Sequence, residues 1–163
     1  MNNIFIGLGS NLSDPIQQVL MAMEALKKIP ETRVVKKSSL YASPPMGPQD
    51  QPDYVNAVVE LNSELSAHKL LDQLQTIEQQ QGRVRLRHWG ERTLDLDILV
   101  YSEQKIDDER LTVPHSGIKE RAFVLYPLAE IASDLIIPQF GNIANLVQNC
   151  SRAGLNKINL DLI

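Results

Sequence analysis

The sequence predicts an α+β protein with a β-α-β-β-α-β core, in which an antiparallel sheet carries both helices on one face. Two observations lead to this class. Strand-like and helix-like hydrophobic patterns alternate in that order up to residue 101, and each predicted helix is closed by a proline or a glycine. The chain has 163 residues, of which 43% are hydrophobic and 22% charged, so it can bury one core and is short for two. We therefore expect a single domain over residues 1–163.

The first strand and the first helix are predicted from the N-terminal hydrophobic pattern. Residues 4–8 form a short apolar run, and Asp14 and Pro15 then offer an N-cap and a first-turn proline. Apolar residues recur at helical spacing until Pro30 closes the pattern. They are Ile16, Val19, Leu20, Met23, Leu26 and Ile29.

Two more strands precede the second helix. Residues 33–42 and 54–62 are predicted as strands, and the four prolines of residues 43–52 keep the segment between them out of regular structure. Ser66 offers an N-cap for the second helix, which is predicted to end at Gly82. Its apolar line consists of Leu70, Leu71, Leu74 and Ile77.

The fourth strand is predicted from the segment RTLDLDILVY, residues 92–101. A period of two separates its side chains into two faces. One face carries Leu94, Leu96, Ile98 and Val100, and the other carries Thr93, Asp95, Asp97, Leu99 and Tyr101. Aspartate is a poor strand former, so two aspartates at adjacent positions of one face need either solvent or a partner.

The remaining residues are predicted to add smaller elements to this core. A hairpin through residues 101–106 is expected to extend the sheet. From Pro114 onward, the pattern predicts two or three short helices broken by Pro127 and Pro138.

Composition limits the functional classes. The formal net charge of −4 argues against a general nucleic-acid binder. The lone Cys150 cannot form an intramolecular disulfide and is expected to be a small buried hydrophobe, and the N-terminus lacks the features of a secretory signal. No stretch approaches the roughly 20 consecutive apolar residues that a membrane span needs. We expect a soluble, cytoplasmic protein that binds neither nucleic acid nor membrane.

Basic residues are concentrated directly before the two aspartates. The segment GRVRLRHWGER, residues 82–92, contains Arg83, Arg85, Arg87, His88, Trp89 and Arg92. One interpretation is a solvated charge run that neutralises the nearby acids. The other is a polyphosphate site, because carboxylates bind divalent cations such as Mg²⁺ while arginines pair with phosphate oxygens. Asp95 and Asp97 would lie roughly 7 Å apart along a strand, close enough to share a metal pair.

Three functional classes remain open on these residues alone. Metal-dependent nucleotidyltransferases and nucleases use similar carboxylate pairs, but they predict a basic groove, which the net charge disfavours. A ligand-binding module without catalysis would leave both aspartates without metals. A phosphate-transferring enzyme would use the glycines that flank the basic segment to close its backbone over a ligand.

The motifs resemble the signature of the 6-hydroxymethyl-7,8-dihydropterin pyrophosphokinase family. The resemblance rests on RTLDLDILVY after a GRVR…HWG segment, and it covers nearly the whole chain. The further motifs are GSNL at 9–12, PPMGPQDQPDYVNA at 44–57, IEQQQGRVR at 77–85, RLTVPH at 110–115 and ERAFVLYPLAEIA at 120–132.

The resemblance implies a fold and an activity. The fold is a ferredoxin-like core with a C-terminal hairpin and short helices, arranged in α-β-α layers. The activity is the transfer of pyrophosphate from ATP to the pterin alcohol in folate biosynthesis, which uses two Mg²⁺ ions and gives AMP and the pterin diphosphate. The expected partners are these two small-molecule substrates, and a monomer is expected.

The resemblance also implies roles for individual residues. Asp95 and Asp97 match the metal ligands, and Arg83 and Arg92 join them as catalytic residues. The positions associated with the nucleotide and its phosphates are Gln75, Glu78, Arg85, Trp89, Arg92, Ile98, Arg110, Thr112, His115 and Arg121. The positions associated with the pterin are Ser43, Pro44, Met46, Tyr54, Asn56, Trp89 and Phe123. Trp89 and Phe123 would enclose the flat ring, and Asn56 would bind its amide edge.

Several of these residues also have ordinary structural explanations. Without the resemblance, Tyr54 and Phe123 would be core aromatics, and Glu78 would belong to the solvent face of a helix. His115 would be a surface loop residue, and the hydroxyls of Ser43 and Thr112 would belong to turns.

Two positions depart from the family pattern. The segment from Arg85 to Trp89 is one residue shorter, so it stays open which of Arg83, Arg85 and Arg87 meets which phosphate. Ser116 stands where an aromatic residue is familiar in the family, so stacking on the nucleotide base at this position also stays open.

Overall fold

The computed structural model describes residues 2–11, 14–44, 53–81, 94–152 and 154–159. The strands in these ranges are β1 (Asn2–Ser10), β2 (Thr32–Lys37), β3 (Tyr41–Ser43), β4 (Tyr54–Ser63), β5 (Asp95–Tyr101), β6 (Ile106–Asp107), β7 (Thr112–Val113), β8 (Ile136–Ile137), β9 (Gly141–Asn142) and β10 (Asn156–Lys157). The helices are α1 (Pro15–Leu26), α2 (Ala67–Gln80), α3 (Ala122–Ile131) and α4 (Ile143–Gln148), with a 3₁₀ turn at Ile118–Glu120. The predicted order of the core is present, because β2 and β3 together take the place of its second strand.

The central sheet is antiparallel, and β1 is an interior strand between β4 and β5. The strand order is β10-β3-β4-β1-β5, and β2 also pairs with β4. The strand predicted at residues 33–42 is interrupted between β2 and β3, where Ser38 bonds to β4 in two ways. Its backbone N–H donates to the carbonyl of Val58 at 2.9 Å, and its Oγ accepts from the Val58 N–H at 2.9 Å. The predicted α+β class is confirmed.

Each face of the sheet has its own hydrophobic core. On one face, Ile4 and Ile6 of β1 pack with residues of α1 and α2, as predicted for the two core helices. On the other face, Phe5 and Val58 pack with residues of α3 and α4. The protein therefore has three layers, with helices on both sides of the sheet. No helix in the described ranges is long and apolar enough to cross a membrane.

The two core helices begin where the sequence predicts, but only α2 has the predicted cap. The Oγ of Ser66 accepts a hydrogen bond from the N–H of Lys69 at 3.3 Å. Asp14 precedes α1 with a left-handed backbone, φ 62°, and its side chain makes no capping hydrogen bond. The start of α1 is instead set by Pro15, because its fixed φ already suits the first helical position.

A bulge interrupts the alternation of β5. The register of β5 on β1 skips Leu99, which is therefore an extra residue in this strand. As a result, Leu99 and Val100 both lie on the α3 side of the sheet, and Tyr101 lies in the core beneath α1 and α2. The predicted faces are confirmed up to Ile98, and they are wrong for Val100 and Tyr101.

The hairpin predicted through residues 101–106 lies further along the chain. β6 pairs with β7 in a separate two-stranded sheet, so the hairpin turn spans residues 108–111. Asp108 stabilises this turn, because its Oδ1 accepts from the N–H groups of Arg110 at 2.9 Å and Leu111 at 3.0 Å.

The two prolines expected to break the last helices behave differently. Pro138 lies in the turn between β8 and β9, as a helix-breaking residue does. Pro127 lies inside α3 and is buried with Val124, Leu125 and Leu128. Packing of this apolar helix on the sheet outweighs the one backbone hydrogen bond that proline cannot donate, so the predicted break at Pro127 is wrong.

Candidate active site

A cavity of about 250 Å³ lies on the α3 side of the sheet, over β1, β4 and β5. It brings together predicted site residues from separate parts of the sequence. These residues are Ser43, Pro44, Tyr54, Asn56, Asp95, Asp97, His115, Arg121 and Phe123. Gly7, Gly9 and Leu99 also line the cavity and were not predicted, although the alternating glycines in IGLGSN place a side-chain-free stripe on one strand face.

The two glycines of β1 form the floor of this cavity. Gly9 pairs with Asn56 on one side and with Asp95 on the other, so these three residues form one cross-strand row. Gly7 pairs with Asp97 in the next row. A Cβ at Gly9 would lie 3.1 Å from Nδ2 of Asn56, which is closer than ordinary contact. The absence of side chains at these positions therefore opens the space between the amide and the carboxylates.

Asp95 and Asp97 lie at the start of β5 and face the cavity. Asp95 is half-buried and Asp97 is exposed. The described residues contain no group of three or more His, Cys, Asp or Glu side chains that could hold a metal by itself. Mg²⁺ fits this arrangement, because it is commonly held by one or two carboxylates and completes its shell with water and substrate phosphates.

His115 is held beside these carboxylates in a defined orientation. Its backbone N–H donates to the carbonyl of Leu99 at 2.9 Å, and its Nδ1 accepts from the N–H of Gly117 at 3.1 Å. Burial lowers the pKa of His115; the Asp97 carboxylate opposes this effect and the Arg121 guanidinium reinforces it. The imidazole is therefore neutral near pH 7, and its proton lies on Nε2, where it can be donated to a ligand.

Among the described residues that line the cavity, Arg121 supplies a positive charge. It directly precedes α3, and its Cζ lies 5.8 Å from the centroid of the Phe123 ring, within the range of a cation–π contact. A Cβ at Gly117 would lie 2.7 Å from Nε of Arg121, so the missing side chain at Gly117 leaves room for the guanidinium.

The opposite end of the cavity presents an oriented amide. Ser43 Oγ donates to Oδ1 of Asn56 at 2.6 Å, and both residues are buried. With its oxygen occupied in this way, Asn56 directs Nδ2 toward the space above Gly9. Tyr54 and Phe123 are half-buried and line the same cavity, so neither is a plain core aromatic.

A second polar cluster lies between α2 and the β6–β7 hairpin. Arg110 Nη2 donates to Oδ1 of Asp72 at 2.7 Å and to Oε1 of Gln75 at 3.2 Å. The structure thus brings together Gln75 and Arg110, two predicted nucleotide residues. The cluster also contains Asp72, which was not predicted. Its position one helical turn before Gln75 places it on the same face of α2, and this spacing could have indicated it from the sequence. Thr112 is exposed on the same hairpin.

The other predicted nucleotide residues differ in their surroundings. Glu78 is buried, and its Oε2 accepts from the N–H of Leu96 at 2.7 Å, so it does not belong to the solvent face of α2. The Ile98 side chain lies in the core beneath α1 and α2, which leaves only its main chain for a nucleotide contact. Ser116 is exposed. Six predicted residues lie outside the described ranges, and their roles stay predictions: Met46, Arg83, Arg85, Arg87, Trp89 and Arg92.

Carboxylates that can bind a divalent cation lie here beside a guanidinium and an imidazole that can bind phosphate, and this chemistry is typical of enzymes that transfer phosphate groups. The family model for 7,8-dihydro-6-hydroxymethylpterin-pyrophosphokinase (HPPK) matches residues 5–133. The chain belongs to this family and is an ATP-dependent pyrophosphokinase. The family match decides against the nuclease and the non-catalytic alternatives.

Relatives of similar length support this assignment. The 2-amino-4-hydroxy-6-hydroxymethyldihydropteridine pyrophosphokinase of Haemophilus influenzae is 53% identical over 159 residues, which is 98% of this chain and 99% of the relative. The protein of the same name from Pseudomonas aeruginosa is 48% identical over 158 residues, covering 97% of this chain and 98% of the relative.

Solved structures share the fold at low sequence identity. The structure titled HPPK-DHPS in complex with substrates matches with a TM-score of 0.71 at 12% identity, over 91% of this chain and 45% of the other. The wild-type Plasmodium falciparum HPPK-DHPS with pteroate matches with a TM-score of 0.71 at 13% identity, over 91% of this chain and 42% of the other. The chain therefore spans less than half the length of these structural relatives, and the likeness concerns the fold alone.

Proposed function

We propose that the chain transfers the pyrophosphoryl group of ATP to 6-hydroxymethyl-7,8-dihydropterin, giving AMP and the pterin diphosphate for folate biosynthesis. One observation carries this proposal: Asn56 and Asp95 lie in a single cross-strand row of the cavity, with only Gly9 between them. An amide suited to a heterocycle and a carboxylate suited to a phosphate-bound cation are thereby placed within the length of one small molecule. The names of the relatives support the choice of substrates.

The pterin half of the site is the end that contains Asn56. A pterin is flat and carries hydrogen-bonding groups along one edge, so it needs aromatic surfaces and an oriented amide. Tyr54 and Phe123 provide aromatic surface, and Ser43 fixes the Asn56 amide through its 2.6 Å hydrogen bond. Pro44 completes this end of the cavity.

The phosphate half of the site contains Asp95 and Asp97. These two carboxylates would hold two Mg²⁺ ions, and the bound ions would neutralise phosphate oxygens and orient them. Arg121 adds positive charge that does not depend on metal, and the neutral imidazole of His115 donates from Nε2. The second polar cluster, through Arg110 and Gln75, binds the remainder of the nucleotide together with Thr112 of the same hairpin.

In the proposed reaction, the alcohol oxygen of the pterin attacks the β-phosphorus of ATP. The bond between that phosphorus and the oxygen bridging to the α-phosphate breaks, AMP leaves with the bridging oxygen, and the alcohol proton passes to solvent. Such a transfer asks little covalent chemistry of the protein, so positioning and charge stabilisation supply most of the rate. Asn56 fixes the acceptor, while Arg121 and His115 stabilise charge on the transferred group.

The nucleotide product tests this proposal. We expect incubation with ATP, Mg²⁺ and the hydroxymethyl-dihydropterin to yield AMP and the pterin diphosphate in equal amounts. Attack of the alcohol on the γ-phosphorus, as in an ordinary kinase reaction, would yield ADP. Stoichiometric ADP would therefore contradict the proposed reaction. Omission of the pterin is the control, since AMP formed without it would indicate hydrolysis.

We further propose that the chain acts as a single-domain monomer in the cytoplasm.

A further inference from the structure

Glu78 is the only carboxylate among the buried polar residues of the described ranges, with 6% of its surface exposed. Burial of a carboxylate is unfavourable unless strong hydrogen bonds compensate for the lost hydration. The position of Glu78 adds to the cost, because it lies in the last turn of α2, where the helix dipole disfavours negative charge. A strong compensating interaction is therefore required.

Part of that compensation comes from the strand that carries both site aspartates. Glu78 Oε2 accepts a 2.7 Å hydrogen bond from the backbone N–H of Leu96, the residue between Asp95 and Asp97. β5 ends the strand order of the central sheet and pairs with β1 through its other edge. Glu78 thus supplies, from α2, an acceptor to an edge N–H in the middle of the Asp-Leu-Asp segment.

This contact restrains the backbone from which both carboxylates project. The Leu96 N–H belongs to the peptide unit that joins Asp95 to Leu96, so a bond to it limits rotation on both sides of that unit. A hydrogen bond to a charged acceptor is shorter and about twice as strong as a neutral one. Loss of a residue that orients metal ligands indirectly typically lowers metal affinity or activity by about 10- to 100-fold.

We propose that Glu78 is a positioning residue, which holds Asp95 and Asp97 in the register required for divalent cation binding. The inference rests on the proposed metal role of these aspartates. It replaces the nucleotide contact expected for Glu78 from the sequence, because the carboxylate is buried against β5. The alternative is a purely structural role, in which Glu78 satisfies an edge N–H and does not influence the cation site.

Three variants separate these roles. Glu78→Ala removes the acceptor, Glu78→Gln keeps an acceptor oxygen but removes the charge, and Gln79→Ala alters an exposed neighbour on the same helical turn. The first readout is the amide hydrogen exchange rate of Leu96 in the metal-free protein. The second is the Mg²⁺ concentration that gives half-maximal binding of a non-hydrolysable ATP analogue, measured by calorimetry. Urea unfolding reports stability separately.

We expect Glu78→Ala to speed Leu96 exchange and to raise the half-maximal Mg²⁺ concentration by about tenfold or more. Glu78→Gln should give an intermediate shift of about threefold, because a neutral acceptor forms the weaker bond. Gln79→Ala should resemble the parent protein in both readouts. If Glu78→Ala does not fold, the Glu78→Gln result decides the question by the same two readouts.

Two outcomes with the Glu78 variants would overturn the inference, and one outcome with Asp97→Asn would overturn it together with the proposed metal site. Faster Leu96 exchange with an unchanged Mg²⁺ requirement would show a structural role only, and unchanged exchange would show that the contact does not restrain the strand. Asp97→Asn is measured in parallel to test the proposed metal site itself. If Asp97→Asn leaves the Mg²⁺ requirement unchanged, the metal assignment fails and the inference falls with it. If Asp97→Asn raises the half-maximal Mg²⁺ concentration and Glu78→Ala leaves it unchanged, the inference about Glu78 fails while the metal assignment stands.

Discussion

Asn56 and Asp95 lie in one cross-strand row of the central sheet, and only Gly9 separates them. Adjacent strands are about 4.8 Å apart, so the two backbones are about 10 Å apart across β1. The sheet itself therefore fixes the spacing between the amide proposed for the pterin and the carboxylate proposed for the metal. Any side chain at Gly9 would intrude between them.

The first prediction concerns the space above Gly9. Because its Cβ would lie 3.1 Å from Nδ2 of Asn56 and 3.9 Å from the Tyr54 ring, Gly9→Ala should displace the amide. We expect the dissociation constant of the pterin to rise by about tenfold, the scale of one lost hydrogen bond. Affinity for an ATP analogue with Mg²⁺ should change by less than about twofold, which is about 0.4 kcal/mol. Calorimetric titration of each ligand measures both effects.

Gly7→Ala is the matched control for this variant. Its Cβ would meet the side chain of Leu99 at 3.3 Å, and that side chain can shift without moving Asn56. Pterin affinity should stay within about threefold of the parent value, which is less than 1 kcal/mol. If Gly7→Ala and Gly9→Ala lower pterin affinity equally, the cause is a general disturbance of β1, and the proposed role of Asn56 is contradicted.

The second prediction separates metal binding from folding at β5. Asp95→Asn and Asp97→Asn should each change the free energy of unfolding by less than about 1 kcal/mol, because both side chains face the cavity instead of the core. Turnover at saturating Mg²⁺ should fall by about a hundredfold or more, as expected for loss of groups that act on the transition state. Steady-state kinetics and urea unfolding give the two quantities.

Asp134, an exposed residue that follows α3, provides the control for these two variants. Asp134→Asn removes the same charge outside the cavity and should leave turnover within about twofold of the parent. If either Asp95→Asn or Asp97→Asn keeps near-normal turnover, the replaced carboxylate is not a ligand of the proposed metal site.

Much of the fold and site follows from sequence because it depends on local patterns. The helical spacing that begins at Ile16 and the cap at Ser66 place the starts of α1 and α2 correctly, whereas α1 ends at Leu26 and not at Pro30 as predicted. The strand alternation that puts Asp95 and Asp97 on one face depends only on a period of two, and it holds up to Ile98. The nine predicted residues that meet in the cavity come from motifs along the chain, and the family resemblance selected them.

The features that sequence did not predict depend on contacts between distant segments. The bulge at Leu99 arises from the register of β5 on β1, and neither strand encodes that register by itself. Pro127 stays inside α3 because tertiary burial overrides its local preference. The contact between Glu78 and Leu96 joins a helix to an edge strand, so helical periodicity could assign Glu78 only to a face.

The third prediction concerns the second polar cluster, between α2 and the β6–β7 hairpin. Arg110→Ala removes a guanidinium that bonds to Asp72 and Gln75 on an exposed surface, so the free energy of unfolding should change by less than about 1 kcal/mol. Affinity for the ATP analogue should fall by about tenfold, the scale of one charge-assisted hydrogen bond. Pterin affinity should not change, because Arg110 does not line the cavity. A parent-like ATP affinity would exclude Arg110 from the nucleotide site.

The last prediction concerns a carboxylate that ties α3 to the interruption between β2 and β3. Glu130 accepts from the Tyr41 hydroxyl at 2.6 Å, from Ser39 Oγ at 2.9 Å and from the Ser39 backbone N–H. Burial by itself raises the pKa of Glu130, but the hydrogen bonds from Tyr41 and Ser39 together outweigh it and hold the pKa below its usual value.

Because the pKa is lower in the folded state, ionised Glu130 stabilises the fold above the unfolded-state pKa, and this contribution is lost as the pH falls through the folded-state pKa. Glu130→Gln should therefore lower the free energy of unfolding at pH 7 by about 1 kcal/mol, a modest value because the group is exposed. The difference between parent and variant should shrink as the pH falls below about 4. Tyr41→Phe, which keeps the ring and removes one donor, should show a smaller loss with the same pH dependence. Urea unfolding at pH 7 and at acidic pH measures these differences, and a pH-independent difference would exclude the proposed role of the Glu130 charge.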